Sequence, residues 1–174
     1  MSDKTIKRMS ITALFMAMTV ILSTFSIPVP GGHLYFCDPA ICLGALLLGH
    51  PGYAFVMGGF GSFIGDLFFN QASMFVSLIT HGIQAAAIAF LSRQLFKSGS
   101  FHEKHPSAAG ITARTIALLV GAVIMVTGYT IGRAYVYATP EYALLKLPFE
   151  ILQALFGVAA ALLLFQPLSS RIRF

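Results

Sequence analysis

The stretch GGFGSFIGDLFFNQ, residues 58–71, places one carboxylate at the end of an uncharged apolar run that is rich in glycine. Its four glycines remove side-chain bulk from two sides of a helix, which lets neighbouring helices approach to backbone contact, as small residues do in membranes. The carboxylate, Asp66, is costly within a membrane unless it is paired, hydrated or turned toward a cavity. The stretch therefore predicts a closely packed helix that forms the inner wall of a ligand cavity.

The composition is that of a membrane protein. Of 174 residues, 57% are hydrophobic and 10% are charged, against about 45–50% and 25% in soluble domains. Intervals without Asp, Glu, Lys or Arg cover residues 9–37, 39–65, 67–92, 115–132 and 151–170, each close to or above the roughly 20 residues that span a bilayer as a helix. The apolar runs lack the alternation of a transmembrane barrel. We predict an all-α integral membrane protein, a single domain over residues 1–174 that forms a six-transmembrane-helix bundle.

The basic residues predict the orientation of this bundle. Nine of the eleven Lys and Arg residues fall in three groups, within residues 4–8, 93–114 and 171–173. By the positive-inside rule these segments are cytoplasmic, which places both termini and the loop 97–114 in the cytoplasm. The net charge of +5 is thus an orientation signal and not a nucleic-acid footprint. The two cysteines, Cys37 and Cys42, are expected to be packing residues, since two thiols form neither a zinc site nor a disulfide framework.

Prolines, glycines and polar residues divide the chain into six predicted helices, over residues 6–27, 39–49, 53–69, 72–96, 114–138 and 142–168. The second spans eleven residues, or roughly 16 Å, which is too short to cross a core of about 30 Å unless the preceding loop dips inward. That loop, residues 31–38, contains Tyr35. Its aromatic residues suit either an interface anchor or a lid over a pocket.

Polar residues in the later helices share helix faces. His81 and Gln84 are three apart, and Tyr129 and Arg133 are four apart, so the members of each pair lie side by side. A hydrogen-bonded structural histidine and an arginine that extends to the membrane interface are the alternatives to ligand contacts. Arg133 could also balance Asp66 or clamp an anionic ligand.

The last helix adds a third polar face. Glu150 and Gln153 are three apart, and Lys146 precedes Glu150 by four residues, so a local Lys146–Glu150 ion pair is expected. Gln153 has no such local partner. The predicted substrate-binding residues are Tyr35, Asp66, Asn70, His81, Gln84, Tyr129, Arg133, Glu150 and Gln153.

Several of these segments together resemble the substrate-binding S component of an energy-coupling-factor (ECF) vitamin transporter. The resemblance is carried by Ala13 and Ala17, four apart on the first helix, by IPVPGG at residues 27–32, by ALLLG at residues 45–49 and by the glycine-rich helix. It is strongest to the riboflavin-type group, in the branch for hydroxymethylpyrimidine and pyridoxine. His81 and Gln84 stand where that branch often has lysine and glutamate, and such neutral groups suit a small heteroaromatic ring with hydroxyls.

The resemblance implies a subunit that captures a vitamin or precursor on the outer face of a bacterial cell membrane. It implies no cofactor in this chain. Ala13 and Ala17 would dock onto an EcfT-like transmembrane coupling subunit, and two ATPase subunits would use ATP to drive import. The chain itself has no G-x-x-x-x-G-K-[ST] phosphate loop.

Two other functions stay open at this point. A stand-alone proton-coupled carrier would titrate Asp66 or Glu150, although the chain is short for paired inverted halves. An intramembrane metal-dependent hydrolase would use His81, Asp66 and Glu150, yet no H-E-x-x-H pairing occurs. We therefore predict neither a metal site nor enzymatic activity.

Overall fold

The computed structural model describes residues 3–95 and 108–171. The first helix, α1, leads into a β-hairpin, and five further helices follow. In chain order the elements are α1 Asp3–Ser23, β1 Ser26–Val29, β2 Gly32–Tyr35, α2 Asp38–Leu48, α3 Pro51–Phe69, α4 Met74–Leu95, α5 Ala108–Tyr137 and α6 Pro140–Ser169.

Five of these helices are long and apolar enough to cross a membrane, and α2 is a shorter apolar helix. This confirms the prediction of an all-α membrane protein. The six-span count and the cytoplasmic termini stay predictions. Most of the predicted cytoplasmic loop 97–114 lies outside the described residues, and its last seven residues are helical, so the predicted helix start at residue 114 is wrong because α5 begins at Ala108.

The chain between α1 and α2 differs from the prediction. The first helix ends at Ser23 and not at residue 27, and the expected loop contains an antiparallel hairpin in which Ser26 pairs with Tyr35. Ile27, Pro28 and Val29 form β1 because the prolines cannot continue a helix, and the turn uses Gly31 at φ 80°. This hairpin is a small exception to the all-helical architecture.

The centre of the bundle is α2. It packs against α1, α3, α4 and α6, and all of its residues except Pro39 are buried. A helix that is apolar on every side is stable only when other elements surround it. Gly49, at φ 53°, ends the helix. A short helix can therefore serve as the core of a bundle whose longer helices face the lipid.

The glycines of α3 permit the close approach that the sequence predicted. A Cβ atom on Gly58 would lie 2.8 Å from the backbone oxygen of His81 on α4, and one on Gly65 would lie 2.7 Å from Oγ of Ser23 on α1. Both distances are too short for a side chain, and a Cβ atom on Gly61 would lie 3.3 Å from the backbone oxygen of Met16 on α1, so the predicted close approach on two sides is confirmed. A π-helical turn at Val56–Phe60 runs through the same stretch.

The antiparallel connections bring one end of each helix to a common region. There the C-terminal halves of α3 and α5 meet the N-terminal halves of α4 and α6, as the contacts of Asp66 with Ser77 and of Arg133 with Glu150 show. At the opposite end, the guanidinium of Arg114 lies 4.7 Å from the ring centre of Phe165. The contacts of Asp66 and Arg133 thus lie at the end of the bundle away from the start of α5.

Candidate functional site

A polar chamber lies where these helix ends meet the hairpin. The volume of the chamber is about 30 Å³. The surrounding side chains therefore lie close together, and we expect them to separate to admit a ring. The lining residues are Ser23, His33, Tyr35, Cys37, Ser62, Asp66, Asn70, Ser73, His81, Met125, Tyr129, Arg133, Tyr137, Lys146, Glu150 and Gln153.

Two serine hydroxyls hold the carboxylate of Asp66. Ser73 Oγ donates to Asp66 Oδ2 at 2.6 Å, and Ser77 Oγ donates to the same oxygen at 2.5 Å. Ser77 Oγ also lies 2.5 Å from the hydroxyl of Tyr129. Asp66 is thus stabilised by hydroxyl groups and not by Arg133, and its network extends to the aromatic wall of the chamber.

A second network passes through Asp38, at the first turn of α2. Gln153 Nε2 donates to Asp38 Oδ2 at 2.6 Å, and Gln84 Nε2 lies 3.4 Å from Asp38 Oδ1. The other ends of the two amides also have partners, since Gln153 Oε1 accepts from the backbone N–H of Tyr35 at 2.9 Å and Gln84 Oε1 lies 2.6 Å from His81 Nδ1. This network connects the hairpin, α2, α4 and α6.

The two networks meet at an aromatic contact. The rings of His81 and Tyr129 lie 5.2 Å apart with an angle of 62° between their planes, an edge-to-face arrangement that aromatic pairs favour. Both side chains line the chamber. They form a polar and aromatic wall of the chamber.

An ion pair forms the third polar group. Arg133 Nη1 donates to Glu150 Oε1, and the guanidinium carbon lies 5.6 Å from the ring centre of Tyr137. Arg133 and Tyr137 belong to a π-helical turn at the end of α5, a distortion that is frequent at functional sites. The expected local pair of Lys146 with Glu150 is wrong, because Glu150 pairs across helices with Arg133.

The hairpin contributes the phenol of Tyr35. Burial raises the pKa of this side chain above 10, and the nearby Asp66 carboxylate raises it further. The hydroxyl therefore keeps its proton at physiological pH and can donate a hydrogen bond into the chamber. The His33 ring lies 6.2 Å from the Tyr35 ring, so the hairpin presents two aromatic groups.

The structure brings the predicted site residues together, with one exception. All of them line the chamber except Gln84, which is buried behind His81. Asp66, His81 and Gln153 share this one chamber, as expected of residues that bind a common ligand. Whether each contacts a ligand stays a prediction.

Sequence reasoning missed several polar residues of this region. The most consequential is Asp38, which is 0% exposed. Its position directly before Pro39, at the start of an apolar helix, could have indicated a role, because helix N-termini stabilise negative charge. Ser73 and Ser77 gave no signal, since serine is common in membrane helices. Cys37, expected only to pack, lines the chamber, whereas Cys42 lies within the core.

Three potential metal ligands also meet here. One atom each of Cys37, Asp38 and His81 lies within 4.8 Å of the others. The hydrogen bonds to Gln84 and Gln153 already account for the orientation of Asp38 and His81. The hydrolase set of His81, Asp66 and Glu150 does not form a comparable group in the described part of the chain.

The predicted docking residues lie far from the chamber lining. Ala13 and Ala17 are exposed on the outer face of α1, whereas Thr12, Phe15 and Thr19 on the same helix are buried. The alanine pair therefore lies on an exposed apolar surface, beside the larger side chains of Leu14 and Met18, that is open to lipid or to another protein.

Comparison with known proteins identifies the family. The model of the family described as "ECF-type riboflavin transporter, S component" matches residues 3–170. The chain is also similar to the "Thiamine precursor transporter HmpT" of Lactococcus lactis subsp. cremoris (strain MG1363), with 29% identity over 98% of this chain and 92% of the relative. Both are transport proteins, so the hydrolase alternative is wrong. This chain belongs to the ECF-type riboflavin transporter S component family, and it is a multi-pass protein of the bacterial cell membrane and not an enzyme.

Proposed function

We propose that this chain captures a small neutral vitamin or vitamin precursor in the polar chamber and presents it for ATP-driven import by other subunits. The observation that carries this proposal is the convergence of polar side chains from the hairpin and α3–α6 on one chamber. A mostly apolar protein that gathers a few polar groups at one concave site has the character of a small-molecule binding site.

The chemistry of the chamber favours a heteroaromatic ligand. Tyr35, His81 and Tyr129 supply aromatic faces and edges on which a ring can stack. Asn70 and Gln153 carry amides, which donate and accept hydrogen bonds. Pyridoxine and hydroxymethylpyrimidine are the best candidates, and the similarity to a thiamine precursor transporter supports the precursor.

The charges disfavour an anionic ligand. The lining contains two cations, Arg133 and Lys146, and two carboxylates, Asp66 and Glu150, and the Asp38 carboxylate lies behind Gln153. The lining therefore has no excess positive charge that would attract an anion. A neutral ring with hydroxyl or amino groups suits this balance better.

Energy for transport comes from outside this chain in our proposal. The exposed Ala13–Ala17 surface of α1 docks on an EcfT-like transmembrane coupling subunit because small side chains allow close helix contact. Two ATPase subunits hydrolyse ATP. The coupling subunit transmits the resulting motion to the loaded bundle.

Binding to the purified chain tests the capture function. Isothermal titration with pyridoxine and hydroxymethylpyrimidine is expected to give a submicromolar Kd for one of them, and Asp66→Ala is expected to weaken that binding by about 10-fold or more, since two hydroxyls lose their acceptor. Glu141→Ala, at an exposed site on α6, is the matched control. Equal or absent binding of all vitamins tested would contradict the proposal.

A second assay separates import by an ATPase complex from proton-coupled transport. Vesicles that contain this chain alone, with a proton gradient, are expected to show no uptake of the bound vitamin. Uptake under these conditions would favour the stand-alone carrier.

A further inference from the structure

Lys146 is a buried cation that forms no direct ion pair within the described residues. Its side chain is 2% exposed and lines the chamber, yet it makes no hydrogen bond or ion pair with any residue in 3–95 or 108–171. Burial of an ammonium group is costly unless the group is paired. Glu150 and Asp38 attract this ammonium group without bonding to it directly, so its hydrogen-bond donors are available to a ligand.

Glu150 presents the complementary group. Its Oε1 accepts from Arg133, whereas its Oε2 is buried and has no hydrogen-bond partner. A buried carboxylate oxygen without a donor carries a desolvation penalty. Lys146 and Glu150 lie one helical turn apart on α6, so an unused donor and an unused acceptor face the same chamber.

The hairpin shields this part of the chamber. A Cβ atom on Gly31 would lie 3.0 Å from the backbone nitrogen of Lys146, and one on Gly32 would lie 3.6 Å from Cε of its side chain. The tip of the hairpin thus packs directly on the second turn of α6. A ligand bound beneath it could therefore contact both groups.

We propose that Lys146 and Glu150 together recognise a neutral hydroxyl group on the ligand, which accepts a hydrogen bond from Lys146 Nζ and donates one to Glu150 Oε2. This inference rests on the proposed function and specifies the ligand. A hydroxyl satisfies both groups because it has one proton to donate and lone pairs to accept. A phosphate or carboxylate would satisfy Lys146 but would set negative charge beside Glu150 Oε2.

Matched ligands test this proposal on the unchanged protein. Hydroxymethylpyrimidine is compared with its methyl analogue, which lacks the hydroxyl, and with its phosphate monoester; pyridoxine is compared with 4-deoxypyridoxine. For the parent that binds more tightly, we expect loss or esterification of the hydroxyl to raise Kd by about 10-fold or more. Equal affinity of parent and deoxy analogue overturns the inference and leaves the proposed function intact, whereas no binding by any compound overturns both.

Substitution of Lys146 tests whether this side chain causes the preference for a ligand hydroxyl group. Lys146→Met keeps the length of the side chain without its charge, and we expect the ratio of deoxy to parent Kd to fall close to one. Lys4→Met, at the exposed start of α1, is the control and should keep the ratio. A preserved ratio in Lys146→Met overturns the inference. If that variant does not fold, Lys146→Gln is tested, and the analogue series on the unchanged chain remains decisive.

Discussion

The side-chain amide of Gln153 donates a hydrogen bond to the carboxylate of Asp38 at 2.6 Å, across 115 residues of sequence. This hydrogen bond joins the middle of α6 to the first turn of the central helix α2. The same amide accepts from the backbone of Tyr35 at 2.9 Å, so one side chain sets the position of the hairpin above the chamber.

Replacement of Gln153 by leucine should therefore destabilise the bundle strongly. Asp38 would stay buried but lose its shorter hydrogen bond, and a buried polar group left without its partner costs about 1–3 kcal/mol, or more when it is charged. Thermal unfolding in detergent measures the effect, with Gln71→Leu at an exposed site as control. The companion variant Gln153→Leu/Asp38→Asn should recover part of the loss, and an unchanged melting temperature in Gln153→Leu would contradict this account.

Much of the architecture could be predicted from the sequence because the membrane constrains it. Long uncharged apolar runs favour helices in a membrane, and the prolines and glycines at their ends placed most helix boundaries within four residues, although α5 begins six residues before the predicted start. The close contact of α3 with two neighbours followed from the glycines, since Gly58 and Gly65 leave no room for a side chain. The hairpin was missed because its Pro- and Gly-rich sequence also suits a loop.

The internal partners in the chamber could not be predicted in the same way. The spacing of Lys146 and Glu150 suggested a local pair, but a lysine that precedes a glutamate by four residues is the less favourable order on a helix, and Arg133 on α5 takes its place. Asp38 was missed because its role depends on Gln84 and Gln153 from two other helices. Such contacts depend on how the helices pack against one another. The spacing of residues within one helix does not determine that packing.

The close contact of Gly58 with α4 predicts that one added methyl group at this position of α3 destabilises the protein. In Gly58→Ala the new Cβ would lie 2.8 Å from both the Cβ of Ala85 and the backbone oxygen of His81. Overpacking of this kind costs typically about 1–3 kcal/mol, and displacement of α4 should also weaken ligand binding through His81. Melting temperature and ligand Kd are measured together.

Gly52→Ala is the matched control for this variant. Its Cβ would lie 3.5 Å from the nearest atom, Cε1 of His50, which is an ordinary contact distance. The two glycine variants should thus differ clearly in melting temperature. A Gly58→Ala protein as stable as Gly52→Ala would show that α3 and α4 can separate without cost.

Because Ala13 and Ala17 are exposed on α1, we expect their replacement to impair transport but not ligand binding. Ala13→Leu or Ala17→Leu should abolish uptake by the assembled transporter because a larger side chain blocks close helix contact. Ligand affinity of the purified chain should stay nearly unchanged, since neither residue lines the chamber. Ala159→Leu, at an exposed position of α6, is the control. Loss of ligand binding in the α1 variants would mean that these alanines pack the bundle.

Because Arg133 and Glu150 form a buried ion pair, we expect their single substitutions to differ strongly in their effect on stability. Arg133→Met leaves Glu150, 2% exposed, as an unpaired buried carboxylate, and this should destabilise the protein by roughly 3–5 kcal/mol. Glu150→Gln should cost less, because the Arg133 side chain is 11% exposed and retains an amide oxygen as acceptor. The double variant Arg133→Met/Glu150→Gln should be more stable than Arg133→Met alone, since the uncompensated charge is gone. Melting temperatures of the four proteins complete a double-mutant cycle, and additive losses would show that the two side chains do not stabilise each other.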